Sequence, residues 1–315
     1  MARLLAMMAC LFLPGVAFLP ASAAAAEKYF PKETDLILSL NVRQVLDSPV
    51  VKTYALDLIK TTLAGNKGVE EVLKAVGIDL LTDIGRMTIG GSLDDLKNPK
   101  GVVVIEGKFD VQKINAALDE RVKKDPKQFG VEKVSGKTVF RVNVADFPDV
   151  FAAAIDSNTI VMSTAKEHVA TAFDAATGTR KPELKKELVE LLAKADANAS
   201  LSLVAYTKGK LDNVPLPDGE FKKIISISGT IKVEKNMSLE LVLGLPAAED
   251  ARRTRLLVGA ALDLYKIQAK TAQQQQEFQP LIELLGSLSA VQKDRLVVIA
   301  GKLSGEAIEK SLKKK

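Results

Sequence analysis

Chemically versatile side chains are scarce in this chain. Its 315 residues include one Cys, one His and no Trp, and aromatic residues make up 5%. A single imidazole excludes zinc-hydrolase signatures, which need at least two His or Cys ligands, and leaves a serine triad only His168 as its base. A single thiol, Cys10, excludes a disulfide scaffold and a Cys-ligated metal. Few aromatics mean few stacking platforms for single-stranded nucleic acid, and they weaken a carbohydrate-binding reading. No P-loop and no G-x-G-x-x-G pattern occurs. Beyond the first 26 residues no apolar run approaches the ~20 residues of a membrane span. The formal net charge of +5 is partly terminal, in Arg3 and Lys313–Lys315, so no basic face stands out for nucleic acid. The Lys tail reads as a solvated end.

The chain begins with an export pattern. Arg3 precedes an apolar run from Leu4 to Leu19, broken by Pro14-Gly15 and followed by Ala21, Ser22 and Ala23 to Ala26. A positive start, a short apolar centre and a small-residue exit are the marks of a secretory signal peptide. Cys10 sits in the middle of the apolar run, where lipoprotein acylation does not fit. Residues 1–26 are therefore expected to be removed, and the protein is expected in the periplasm or outside the cell.

Apolar periodicity then gives the elements. Leu36, Leu38, Leu40 and Val42 alternate with Ser39 and Asn41 as a half-buried strand, and Ser48-Pro49 opens a helix carrying Val51, Ala55, Leu58 and Thr62. A second helix is expected over Val69–Val76. Strands are expected at Arg86–Gly90 and Gly101–Phe109, and after Asp125-Pro126 at Thr138–Val144, Val150–Ile155 and Thr159–Thr164. Between the two groups lies a helix capped by Asp110. Thr164 and Glu167 form a capping-box pattern for a further helix, and another is expected from Pro182 to Ala195. The distal hairpin has the plainest pattern: Ile225, Ile227, Gly229, Ile231 and Val233 alternate with Ser226, Ser228, Thr230 and Lys232. After Lys235-Asn236, Leu239, Leu241 and Leu243 alternate with Ser238, Glu240 and Val242. A helix from Pro246 runs into Gln273–Gln276. One-sided apolar strands predict an α+β fold, mainly antiparallel, with helices on one face and water on the other. Val103, Ile105, Ile227, Leu239, Leu241, Val297 and Ile299 are the expected core.

The segment GVVVIEGKFDVQKINAAL from Gly101 returns as RLVVIAGKLSGEAIEKSL from Arg295, with Asp110 and Ser304 as matching caps. A fainter echo links DLILSLNVRQVLD from Asp35 to ASLSLVAYTKGKLD from Ala199. An internal duplication is the expected origin, with a first α+β unit over 27–178 and a second over 179–315.

Candidate chemistry is sparse. Ser163-Thr164-Ala165-Lys166 matches the S-x-x-K of serine acyl-transfer enzymes, in which Lys assists deprotonation of Ser. The companion S-D-N and K-T-G elements are missing, and Ser311-Leu312-Lys313-Lys314 matches as well. Gly90-Gly91-Ser92-Leu93-Asp94 begins a nucleophile elbow and lacks its closing Gly. His168, beside Glu167 in a helix, reads as a satisfied or surface residue. Asp79, Asp83, Asp94 and Asp95 suit turns and caps better than Ca²⁺. No cofactor or metal is expected. The polar side of the hairpin, with Ser226, Ser228, Thr230, Lys232, Ser238 and Glu240, is the candidate interaction face, set against plain solvated sheet.

Three stretches carry a resemblance: F-P-K-E-T-D-L-I-L-S-L-N-V-R-Q-V-L-D-S-P-V-V-K from Phe30, G-I-D-L-L-T-D-I from Gly77, and V-V-I-A-G-K-L-S-G-E-A-I-E-K from Val297. Together they resemble a group of exported proteins of planctomycete-type bacteria for which no activity is established. The resemblance implies export and a duplicated α+β body and assigns no catalytic residue. The chain is expected to be an exported, non-catalytic binding or structural protein, with an envelope protein or polymer as partner. A serine hydrolase built on Ser163 and Lys166 is the alternative. Intact-mass measurement of protein from its host should give a species starting between about Ala24 and Glu27; retention of Met1 or Arg3 would refute export with cleavage.

Overall fold

The computed structural model describes residues 26–65, 77–94, 100–143, 148–212, 219–271 and 279–312. The expected Val69–Val76 helix, Asp95, the Gln273–Gln276 run, Cys10 and the Lys313–Lys315 tail lie outside them, as does the signal segment up to residue 25. The fold is mixed α+β, and the chain divides into two units. Unit 1 runs to Asp47 and resumes over Leu56–Leu192; unit 2 comprises Ser48–Ala55 and the chain from Ala193 onward.

Unit 1 contains β1 (Leu36–Leu40), α1 (Val42–Asp47), α2 (Leu56–Gly65), β2 (Ile84–Gly91), β3 (Gly101–Gly107) and α3 (Val111–Lys124). It continues with β4 (Phe129–Val134), β5 (Lys137–Val142), β6 (Val150–Asp156), β7 (Thr159–Ser163), α4 (Lys166–Ala176) and α5 (Lys186–Leu192). Its strands run β1-β2-β3-β7-β6-β5-β4 with antiparallel neighbours. Strand β4 is additional to the expected set. Ser135 and Gly136, at φ 50° and 75°, close a two-residue turn of the kind that matches strand twist and joins β4 to β5. Asp110 caps α3 as expected, accepting from the Lys113 N–H at 3.0 Å.

Local expectations fail in five places. The Thr164/Glu167 capping box does not form: α4 starts at Lys166, and the Ala165 N–H donates to Ser163 Oγ at 3.1 Å. The segment from Pro182 is helical only over Lys186–Leu192. The chain leaves β1 directly into α1, which the alternating pattern hid. Ser48 does cap, accepting from Val51 N–H at 3.3 Å, but over a π-type turn, Val51–Ala55. Leu58 on α2 is exposed rather than inward.

The larger correction concerns which face is buried. Val103, Ile105, Leu36, Leu38 and Leu40 are only half-buried, whereas Val102, Val104, Ile37, Ser39 and Thr88 on the opposite face are shut away from solvent. Ser39 and Thr88 tolerate this because they and Arg86 satisfy one another. Ser39 and Thr88, register partners, share a hydroxyl hydrogen bond at 3.3 Å, and Arg86 Nη1 donates to Ser39 Oγ at 3.3 Å. Arg43, also buried, donates to the Thr82 carbonyl at 2.7 Å. Arg86 lies 4.0 Å from Glu106, its register partner on β3. Helix α4 packs Val169 and Phe173 onto Val139 and Ala153 of the same face.

Unit 2 contains β8 (Leu201–Tyr206), α6 (Gly219–Lys222), β9 (Ser226–Val233), β10 (Met237–Gly244), α7 (Ala248–Thr271), α8 (Gln279–Ser287), β11 (Ser289–Lys293), β12 (Leu296–Leu303) and α9 (Gly305–Leu312). The strands run β11-β12-β10-β9-β8, again antiparallel. Here the expected face is inward: Leu243, Val297 and Leu245 pack with Ala251 of α7, and Ile227, Leu241 and Ile299 border that cluster. Leu239 is half-buried. The two repeated segments both form strand, cap and helix, with Ser304 Oγ accepting from Ala307 N–H at 3.2 Å. Their burial is opposite, however. Val102 and Val104 are buried in β3, while their counterparts Leu296 and Val298 lie on the open side of β12. The segments share local structure without sharing an environment.

Burial lifts the Glu106 carboxyl above the ordinary glutamate range, with Arg86 and then Lys28 pulling it part of the way back. A raised carboxyl favours the folded state while protonated, so its contribution is complete below the unfolded glutamate range and is lost as pH rises through the raised titration. In urea titrations at a series of pH values, wild type should lose stability across that window relative to Glu106→Gln. Parallel pH profiles would contradict the assignment.

Candidate functional site

The candidate interaction face is brought together by register. On β9 and β10, Lys232 faces Ser238, Thr230 faces Glu240 and Ser228 faces Val242, while Ser226 lies opposite Gly244. All six expected side chains therefore project from one side of the sheet. The helices pack on the other side, where Ala251 of α7 meets Leu243 and Val297, and Leu288, after α8, sits against Gly301.

The next strand extends this face. Lys302 is the register partner of Ser238, Ala300 of Glu240, and Ser289 of Ala300. Short residues lie between long ones, so the face sinks into an open trough of about 570 Å³. Lys194 and Asp196 stand at one end, and Ser287 and Ser289 at the other. Asp196 forms an ion pair with Lys232. The hydrogen bond between them holds the Lys232 ammonium above the usual lysine value and the Asp196 carboxyl below the usual aspartate value. Glu240 is exposed and acts on Lys232 through its charge alone. The trough thus offers ammonium groups, a carboxylate and hydroxyls. Lys194, Asp196, Ser287, Ser289 and Lys302 were not anticipated, because their positions on the face depend on strand partners distant in sequence.

The Ser163–Lys166 pairing is not assembled. Lys166 Nζ donates to Glu132 at 2.7 Å, which raises its proton affinity. Ser163 Oγ instead lies 3.2 Å from His168 Nδ1, and His168 Nε2 lies 3.2 Å from Glu33 Oε1. This Ser–His–Glu series has the residue types of a triad, but the proton is committed elsewhere. Ser163 Oγ donates to the Gly101 carbonyl at 2.7 Å and accepts from Ala165 N–H, and the residue is 3% exposed. A nucleophile needs its proton directed at the base and an approach path to the carbonyl it attacks. Ser163 has neither, and its hydroxyl ties β7 to β3 and to the start of α4. His168, also buried, joins that knot to the N-terminal segment. A cavity of about 440 Å³ beside it is lined by opposed charges, including Lys32, Lys100, Glu167 and the 2.9 Å pair of Arg180 and Glu183.

The other expected chemistries resolve into turns. Asp79 accepts from Leu81 N–H at 2.7 Å, and Asp83 accepts from Asp79 N–H at 2.7 Å. Ser92 donates to Asp35, a buried carboxylate that also pairs with Lys185. Among the described residues, no three His, Cys, Asp or Glu side chains gather where they could hold a metal ion, and no helix is long and apolar enough to cross a membrane. No protein family, curated protein or solved structure matches this chain.

A structural role for the Ser163 knot makes a stability prediction. His168→Ala empties a buried imidazole site and removes its contacts with Ser163 and Glu33, and should cost about 1–3 kcal/mol. Lys166→Ala removes an exposed ion pair and should stay within about 0.5 kcal/mol of wild type. Denaturant midpoints check both, and the reverse ranking would contradict the structural role.

Proposed function

We propose that this chain is an exported, non-catalytic binding or structural protein of the bacterial envelope, acting through the open sheet face of unit 2. The observation that carries this reading is that Thr230, Lys232, Ser238 and Glu240 line an open trough, with Ser226 and Ser228 on the same side of the sheet. A solvated sheet needs hydroxyls and charges, but it has no need for small residues aligned across strands to form a depression. The commitment of the Ser163 proton to Gly101 adds support, because it removes the strongest nucleophile candidate. Export rests on the pattern of Arg3, the apolar run and the Ala-rich exit.

Two substitution sets assayed by pull-down from envelope extract test the proposal. Changing Ser228, Thr230 and Glu240 to Ala should abolish capture of partners, and changing Ser163 and Lys166 should not, once both sets are shown to be folded. Ester or amide hydrolysis by the wild type that disappears in Ser163→Ala would overturn it.

A further inference from the structure

We propose that a second copy of this chain occupies the open face of unit 2, pairing with it across a two-fold axis that runs between β10 and β12. The proposal rests on that face being a binding surface and names its partner. It begins from an aliphatic row that the alternating Ser and Thr pattern concealed. Val242 faces Val298 on β12, and Val298 faces Val291 on β11. Val291 is 51% exposed, and Leu296, one step along the same face, is 41% exposed. An interface needs such an apolar centre with a polar rim, and the trough beside the row supplies the rim.

The choice of a second copy comes from the register. A two-fold axis between β10 and β12 lays β10 of one copy over β12 of the other, so each β10–β12 register pair becomes a pair across the interface. Val242 and Val298 are alike in size and meet at the centre. In the other pairs a long side chain meets a short one. Leu296 lies over Gly244, where the Ser226 hydroxyl fills the place of a side chain, Glu240 over Ala300, and Lys302 over Ser238. On the outer strands Val291 of β11 lies over Ser228 of β9 and Lys293 over Ser226, while Thr230 and Ser289 are both short. Facing layers interdigitate when large residues oppose small ones, and this face has that relation to itself. Charge is mixed. Lys302 of one copy arrives over Ser238, one register step from Glu240 but in the row that also holds Lys232 and Lys302, and Lys232 is already paired with Asp196. The area is sufficient: four strands about 4.8 Å apart, three with four outward residues and β11 with three, about 6.8 Å apart, cover about 500 Å² per copy. Two copies would bury about 1,000 Å², near the lower limit for specific association. Sheets packed in this aligned way are an ordinary arrangement.

Sedimentation equilibrium on protein recovered after expression of the full chain tests the proposal. Wild type should show the mass of two copies at about 100 µM and dissociate on dilution, as an interface of this area implies. Val298→Glu should be monomeric at the same concentration. Val291→Glu, at a more exposed position, serves if the first variant loses the wild-type thermal midpoint. Glu240→Lys should weaken association about tenfold, and adding Lys302→Glu to it should recover most of the loss. A wild type that is monomeric throughout, or a dimer unchanged by both Val substitutions, overturns the proposal. A monomer that still loses its envelope partners when Ser228, Thr230 and Glu240 are changed overturns the second copy alone and leaves the binding face standing.

Discussion

Pairing between β10 and β12 is the constraint on which unit 2 depends. Side chains alternate strictly along both strands, so one register choice sets the face of every residue from Ser238 to Gly244 and from Leu296 to Lys302. With the observed register, Leu243 and Val297 reach Ala251 of α7, and Glu240 and Lys302 share the open side. A slip of one residue in either strand would set Val242 or Val298 against the helix and turn Leu243 or Val297 outward. Burial of large aliphatic side chains at about 1.5–3 kcal/mol each opposes that slip. The core therefore selects the register, and the register builds the trough.

Unit 1 obeys the same alternation with the opposite outcome. Its tightly buried face carries Ser39, Thr88, Arg86 and Glu106, residues that normally face water. Removing charges from water costs more than their attraction returns unless hydrogen bonds complete the arrangement. Arg86 reaches both Ser39 and Glu106, but Glu106 Oε2 has no hydrogen-bond partner. The raised Glu106 carboxyl is the signature of that incomplete compensation. Such a cluster contributes little net stability, and what it supplies is geometric. Arg86 matches Ser39 and Glu106 only in the observed pairing of β1, β2 and β3.

Much of the architecture was legible in the sequence. The β9–β10 hairpin, the cap at Asp110, the antiparallel α+β class and the six polar residues on one face follow from local rules of period and capping. What was not legible depends on contacts remote in sequence. Val102 and Val103 are equally apolar, and only what covers each side decides which is buried. The Thr164/Glu167 pattern was a sound local signal that lost to Ser163, whose hydroxyl takes the Ala165 N–H while bonding Gly101 on β3. Glu33 lies far from His168 in sequence, and no spacing rule connects them. The aliphatic row is hidden in the sequence because Val242 alternates among polar neighbours and Leu296 and Val298 fall on the side opposite the expected core residues Val297 and Ile299, which the one-sided pattern gives to water.

The two units place the same residue types in contrasting circumstances, and the contrast bears on what the open face does. Ser39 and Thr88 in unit 1 and Ser228 and Thr230 in unit 2 all sit on the polar phase of antiparallel strands. Where the face is covered by the chain itself, the hydroxyls bond each other and Arg86. Where it is not, Ser228 and Thr230 remain half-exposed and make no side-chain hydrogen bond among the described residues. Buried hydroxyls require partners, and exposed ones find them in water. A surface that covers the unit 2 face must therefore bring donors and acceptors as well as apolar contact, or leave room for bridging water. The trough provides such room beside the Val242–Val298 row. Apolar contact at the row and hydrated polar contact in the trough would make an interface on this face reversible rather than permanent, because little of its area would be free of water.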